Sequence, residues 1–242
     1  MTRRTAIALS AASLILPREA NPQSAAERDG GPRTGDTQKP GTMPLLCAYS
    51  NNLARVPYAE LGLIAQQIGY DGVDLTVMTG GHVSPQITNV DLVRAIESVR
   101  GANLEVPLIS TQITTVNDPT AYPILAITGH TQVHMYRTGF WEYGTIPPRI
   151  RLGEVNREIT SLLTLGQRTE MTAVIPNRAG RYVGAALWDM ELAIAGMAPR
   201  WIGYSFNPAQ ATATGAEGGW ETTLEIILPR VKAVAILFAV QP

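Results

Sequence analysis

The chain reads as an α/β protein, a (β/α) barrel of parallel strands that is incomplete, with about seven strands and no eighth. Three observations predict this. Short apolar runs of strand type alternate with helical patterns from Leu45 to Phe238, joined by short connections without hairpin signals. Such an order is satisfied by right-handed crossovers between parallel neighbours. A doubly wound open sheet would satisfy it too, but the glycine-rich dinucleotide loop that often accompanies that fold is absent after the first strand. Finally, only Ala239 to Pro242 follow Phe238, too little for another strand and helix.

The first strand is Leu45 to Tyr49, an apolar run that ends in Ser50-Asn51-Asn52. Pro57 opens a helix in which Leu61, Ile64, Ala65 and Ile68 recur at helical spacing, and Gly69 stops it as a C-terminal cap. The second strand, Gly72 to Val77, alternates Val73, Leu75 and Val77 with Asp74 and Thr76, then breaks at Gly80-Gly81 into a loop carrying His82. Asp91 is a candidate N-cap for the next helix, with Leu92, Val93, Ile96 and Val99 on one face. Strand three is Glu105 to Ile113, a short helix runs from Pro119 to His130, and strand four is Gln132 to Arg137. The aromatic, glycine-rich loop from Thr138 to Thr145 suits the wall of a small polar ligand's site. Pro147-Pro148 introduce the longest helix, to about Gln167. Strand five, Thr172 to Ile175, ends at Pro176-Asn177-Arg178, and the helix that follows places Trp188, Leu192 and Ala195 on its core face. Strand six is Trp201 to Phe206; after a long loop come a helix from Trp220 to Leu228 and strand seven, Val231 to Phe238.

With 242 residues, 45% of them hydrophobic, and a formal net charge of -1, the chain is that of an ordinary globular protein. No basic patch interleaved with aromatics supports nucleic-acid binding. The single cysteine, Cys47, lies in the first strand and suits a buried apolar role. The spacing of His82, His130 and His134 gives no zinc pattern.

Arg3-Arg4 precede an apolar run from Ala6 to Leu16 that Pro17 ends. This resembles a twin-arginine export signal, since the run is shorter than the roughly 20 residues of a membrane span. Residues 1–20 are therefore expected to be an export signal, and the protein periplasmic or secreted, without a stable membrane anchor. A disordered leader with chance arginines, on a cytoplasmic protein, is the other reading. Residues 21–43, rich in Pro, Gly and charge, are expected to be a disordered linker, and 44–242 the barrel domain.

GYDGVDL with the later GGHV, YRTG after strand four, VGAALWD, PRWIGYSF and the GGWETTL helix together resemble the sugar phosphate isomerase and epimerase family, whose members adopt the xylose isomerase-like TIM barrel. The resemblance implies a TIM-barrel-like fold and an isomerase or epimerase that transfers a proton next to a carbonyl of a small carbohydrate. It also implies a divalent metal, manganese or magnesium, held at strand ends by carboxylates and histidines. Carried over position by position, the ligands are largely missing. Asp74 stands where the family has an acidic group after the second strand. Asn177 matches an asparagine of the strand-five motif, but Pro176 and Arg178 replace its neighbours. Asn207 and Gln210 stand in the strand-six Asp-x-x-His motif, Ile236 and Leu237 replace the strand-seven Lys-Asp pair, and the strand-eight glutamate has no counterpart. The apolar tail from Ile236 is what a truncation or frameshift would leave. No metal ligand is therefore assigned, and the alternative function is an inactive barrel that binds carbohydrate or serves as a scaffold.

The candidate catalytic residues are Asp74 and His82, an acid and an imidazole at or beyond a strand's C-terminal end, where ligands bind in such barrels. The candidate substrate-binding residues are Arg137, Trp141, Asn177, Asn207 and Gln210. Arg137 at a strand end beside Trp141 suits a phosphate or carboxylate group. Glu142 and Glu217 lie in loops at the same end and could supply an acid or base, solvated loop charges being the default.

Overall fold

A computed structural model describes residues 12–16, 43–215 and 218–236. Its centre is a closed barrel of eight strands: β1 (Ala12–Ile15), β2 (Leu45–Tyr49), β3 (Gly72–Thr76), β4 (Ile109–Ser110), β5 (Met135–Arg137), β6 (Thr172–Pro176), β7 (Ile202–Phe206) and β8 (Val231–Ile236). From β2 to β8 every neighbouring pair is parallel. Around it lie α1 (Tyr58–Ile68), α2 (Thr88–Gly101), α3 (Ala121–His130), α4 (Pro148–Thr169), α5 (Trp188–Ala193), α6 (Pro208–Thr214) and α7 (Gly219–Ile227). The seven parallel strands fall where the alternation places them, although strand three is reduced to two residues and strand four to three.

The expectation of an incomplete barrel with seven strands is overturned. β1 pairs antiparallel with β2, Ala12 opposite Ala48 and Ile15 opposite Leu45, and antiparallel with β8, Ala12 opposite Ile236 and Ile15 opposite Ala233. Seven parallel strands leave two open edges of unpaired N–H and C=O groups facing one another across a gap. A single short strand satisfies both at once. Its direction is free because it enters from a separate stretch of chain and not through a helical crossover. Residues 12–16 belong to the segment expected to be an export signal; the rest of that segment, and residues 21–42 of the expected linker, lie outside the described residues.

Two apolar layers follow from the two-residue period of the strands. Inward-facing Ile15, Cys47, Leu108, Met135, Val174 and Ala233 fill the lower barrel. Cys47 thus has the buried apolar role expected of it, and burial pushes its thiol pKa up. Outward-facing Val73, Leu75, Ile109, Tyr136, Ile175, Ile202, Tyr204 and Phe206 pack against the helices. Gly69 ends α1 in the left-handed region at φ 99°, where a side chain would be strained. Gly62 lets α1 approach α2 closely, since a Cβ there would sit 2.6 Å from the Ser98 carbonyl oxygen.

Three local expectations are corrected. Trp188 and Leu192 are 53% and 72% exposed, and α5 buries Met190 and Ala193 instead. Six residues hold too few turns for the periodicity to select a face. Asp91 lies within the first turn of α2 and is not its N-cap, which is Ile87. The stretch after strand six, expected to be a loop, opens with α6, where Pro208 takes a first-turn position and the Asn207 side chain accepts from the Gln210 N–H.

If β1 is an integral strand, Ile15→Ala removes a fully buried side chain from the lower barrel and should lower unfolding free energy by about 2–5 kcal/mol in urea titration of the full chain. An unchanged midpoint would mean that these residues contribute nothing to the folded barrel.

Candidate active site at the top of the barrel

Above the apolar plug, the next inward-facing positions are polar. Asp74 on β3 is 0% exposed. Its Oδ1 accepts from Ser110 Oγ at 2.7 Å, and its Oδ2 from Ser13 Oγ at 3.1 Å and Arg137 Nη1 at 2.6 Å. The Arg137 side chain, 12% exposed, also donates from Nη1 to Ser110 Oγ at 2.5 Å, from Nε to Ser205 Oγ at 3.1 Å and from Nη2 to Ser13 Oγ at 3.2 Å. Side chains from β1, β3, β4, β5 and β7 therefore meet in one layer. A guanidinium has five N–H donors, and these bonds use four of them, leaving one on Nη2.

Two adjoining cavities lie over this layer at the C-terminal ends of the parallel strands. The first, about 360 Å³, is lined by Ser13, Asn177, Ser205, Asn207 and Gln210 among others. The second, about 350 Å³, includes Ser110, Gln112, Glu142 and Tyr182 in its wall. Tyr49, Arg137, Phe140 and Arg178 line both, so the two form one divided cleft. Burial, followed by the nearby Asp74 charge, raises the Tyr49 phenol above its ordinary value, against the opposing effect of Arg137.

Asn177, Asn207 and Gln210 brace the cleft wall. Asn177 Nδ2 donates to the Asn207 carbonyl at 3.0 Å, and its Oδ1 accepts from the Asn207 N–H at 2.7 Å. Asn207 Oδ1 accepts from the Gln210 N–H at 3.1 Å, and Gln210 Oε1 from the Ala179 N–H at 2.9 Å. These bonds tie the end of β6 to the end of β7. Between them the guanidinium of exposed Arg178 lies 5.0 Å from the Phe140 ring centre and 4.7 Å from that of Tyr182.

Of the sequence-predicted residues, the structure thus brings Arg137, Asn177, Asn207 and Gln210 to one cavity. Asp74 lies beneath Arg137 and lines neither cavity. His82 also lines neither: it is 7% exposed, with Nδ1 3.4 Å from the Ser50 carbonyl oxygen and its ring 5.5 Å from that of Tyr58. Its backbone N–H donates to Thr76 Oγ1 at 2.9 Å, which folds the loop back onto the barrel. Burial lowers the His82 pKa, against backbone hydrogen bonding that raises it. Trp141 is buried in the core, its Nε1 donating to the Thr114 carbonyl at 3.2 Å, and it lines neither cavity. Sequence reasoning missed Ser13, Tyr49, Ser110, Phe140, Tyr182 and Ser205, and treated Arg178 only as a departure from a motif. Strand parity carried the signal for Tyr49, Ser110 and Ser205, each two residues or an even number along from a neighbour that faces inward.

The divalent metal implied by the resemblance does not fit these residues. The Asp74 carboxylate is committed to a guanidinium and two hydroxyls, and the oxygens of Asn177, Asn207 and Gln210 each hold a backbone N–H. Among the described residues no group of three or more His, Cys, Asp or Glu side chains is placed to hold a metal ion.

Comparison with known proteins bears on the fold. No family model matches the sequence, and no curated protein matches it. Solved structures do resemble it. The 3-keto-D-glucoside 4-epimerase of E. coli aligns at a TM-score of 0.56 with 10% identity, over 72% of this chain and 71% of that one. The probable 3-DHS dehydratase of Bacillus anthracis gives 0.60 with 12% identity, over 75% and 69%. An AP endonuclease, family 2, from Brucella melitensis gives 0.54 with 10% identity, over 73% and 72%. The likeness shows a TIM-barrel-like α/β fold, shared with solved structures whose names give different chemistries.

Two measurements test the site's physics. Removing one partner of the Asp74–Arg137 pair strands a buried charge, so Arg137→Met should cost about 3–5 kcal/mol in chemical denaturation. Asp74→Asn combined with it should fall short of the sum of the single losses by about 1–3 kcal/mol, and strict additivity would show that the two are uncoupled.

His82 gives a pH signature. Because its folded-state pKa lies below the ordinary 6.5, its contribution to stability is fully present above that value and lost as pH falls through the lower folded value. Stability should drop between pH 7.5 and pH 5, as measured by urea midpoints, with a smaller drop in His82→Asn. Equal drops in the two proteins would remove His82 as the cause.

Proposed function

We propose that the protein is a sugar isomerase or epimerase-like enzyme that moves a proton on a carbon next to a carbonyl group of a small carbohydrate. The observation that carries this reading is the composition of the cleft wall. Arg137, braced by Asp74, Ser13, Ser110 and Ser205, sits in the same cavity wall as Glu142, the one carboxylate lining either cavity among the described residues. Enolisation needs a base at the carbon and a positive group at the oxygen where charge develops. Glu142 and Arg137 are those two groups.

The Glu142 carboxylate takes the proton from the carbon beside the carbonyl. The C–H electron pair becomes the new C=C bond, and the carbonyl π pair moves onto oxygen. The remaining Arg137 Nη2–H and the guanidinium charge stabilise that oxygen. Reprotonation of the same carbon by water from the opposite face, with the oxyanion pair re-forming the C=O bond, gives the epimer. Delivery of the proton by Glu142 to the former carbonyl carbon, with the proton of the neighbouring hydroxyl passing to the oxyanion as the new C=O forms there, gives the isomer. Asp74, buried beneath, acts as a positioning residue that holds Arg137 in place. Tyr49, in the wall of both cavities, is available to hydrogen-bond a sugar hydroxyl.

The test is deuterium exchange at carbon, followed by proton NMR, for a panel of ketoses and keto-sugars incubated with the full chain in heavy water. Exchange should proceed in the presence of a chelator and fall about 100-fold or more in Glu142→Gln, the scale of a lost general base. No exchange with any sugar, with or without added manganese or magnesium, overturns the reading; exchange that survives Glu142→Gln overturns the assignment of the base.

A further inference from the structure

The two cavities differ in charge, and that difference specifies a substrate class more narrowly than "carbohydrate". Among the described residues the first cavity is lined by two guanidiniums, Arg137 and Arg178, and by no acidic side chain, whereas Glu142 lies in the wall of the second. Arg137 already has a carboxylate partner in Asp74. Arg178 does not: among the described residues no carboxylate oxygen lies within 4.0 Å of its guanidinium. Resting on the proposed carbohydrate-processing role, we infer that the substrate carries an anionic group, a carboxylate or a phosphate, and that Arg178 binds it in the first cavity while the reacting carbon lies in the second.

The local structure prepares Arg178 for this. Its neighbours in sequence are both pinned to β7 and the start of α6: Asn177 by two hydrogen bonds with Asn207, and Ala179 by its N–H to Gln210. Phe140 and Tyr182 lie near the guanidinium at 5.0 and 4.7 Å, with their own ring centres 5.9 Å apart and their planes inclined at 62°. Aromatic contact of this kind orients a guanidinium without using its N–H donors. The donor edge is then left for a planar carboxylate or a phosphate oxygen pair, which arginine binds in bidentate fashion. Two rings and a pinned backbone also reduce the rotamer freedom that a long side chain loses on binding. An arginine whose only role was solubility would need none of these constraints.

Calorimetric titration of the full chain with matched ligands tests the inference: a neutral keto-sugar, the same skeleton bearing a carboxylate, and the same skeleton bearing a phosphate ester. At low salt, at least one anionic ligand should bind about tenfold or more tightly than the neutral one. The preference should weaken as salt rises. It should fall towards unity in Arg178→Met and be partly kept in Arg178→Lys. Which anionic ligand shows the preference identifies carboxylate or phosphate. Equal binding of neutral and anionic ligands by the wild type overturns the inference, as does a loss in Arg178→Met that is the same for both. An anion preference without carbon exchange would leave this inference standing while removing the proposed reaction. Exchange confined to neutral sugars, without anion preference, would do the reverse.

Discussion

The ion pair between Asp74 and Arg137 is the interaction on which the upper half of this barrel depends. It joins β3 to β5 across the intervening β4, whose Ser110 bonds to both members. Ser13 on β1 does the same from the other side, and Ser205 on β7 accepts from the guanidinium's Nε–H. Two opposite charges under a cleft are tolerable only where hydrogen bonds replace the water that each has lost. Every strand that supplies one of those bonds is therefore held to a narrow position. The apolar plug of Ile15, Cys47, Leu108, Met135, Val174 and Ala233 below the pair keeps water from the other end.

This makes closure of the barrel and construction of the site a single problem. β1 supplies a backbone ladder to the two edges, a hydrophobic side chain to the plug through Ile15, and a hydroxyl to the ion pair through Ser13. The same residues lie in the apolar run that follows Arg3-Arg4. A chain without residues 12–16 would lack this strand, so removal of the expected export signal and this closed barrel exclude one another in any one molecule. Nothing in the composition distinguishes the two uses, because an apolar segment of moderate length serves a signal and a buried strand equally well.

What could be read from sequence follows the range over which each constraint acts. The parallel strands were legible because their apolar periods, bounded by glycine and proline, are local properties. That Arg137, Asn177, Asn207 and Gln210 would meet at one cavity was legible because the ends of barrel strands converge by topology. The partner of Asp74 was not legible, since Arg137 lies 63 positions away and only the closed sheet brings them together. Ser13 is further still from its arginine, at 124 positions, and entered through a strand that no local pattern marks as part of the sheet. His82 and Trp141 show the opposite failure. Both lie in loops at the correct end of the barrel, but Thr76 and Ser50 draw the His82 loop back against the scaffold, and the large indole of Trp141 gains more from burial than from the cleft.

For the proposed reaction, the ion pair also determines where proton chemistry can reside. In a barrel that holds a divalent metal, strand-end carboxylates ligate the ion, and the ion stabilises the developing oxyanion. In the proposed reaction that cation is Arg137, which is covalently part of the chain and needs no ligand set, while the amides at Asn177, Asn207 and Gln210 brace loops. The consequence falls on Asp74. A carboxylate that accepts from a guanidinium and two serines, and has no exposed surface, cannot reach a substrate carbon. The base that the proposed reaction needs must then come from outside the strand-end layer, and Glu142, in the loop after β5, is the carboxylate that lines the cleft among the described residues. In the proposed reaction, fixing the positive charge within the barrel moves the mobile proton to a loop, and the inferred anionic group of the substrate is the partner of the second arginine, Arg178.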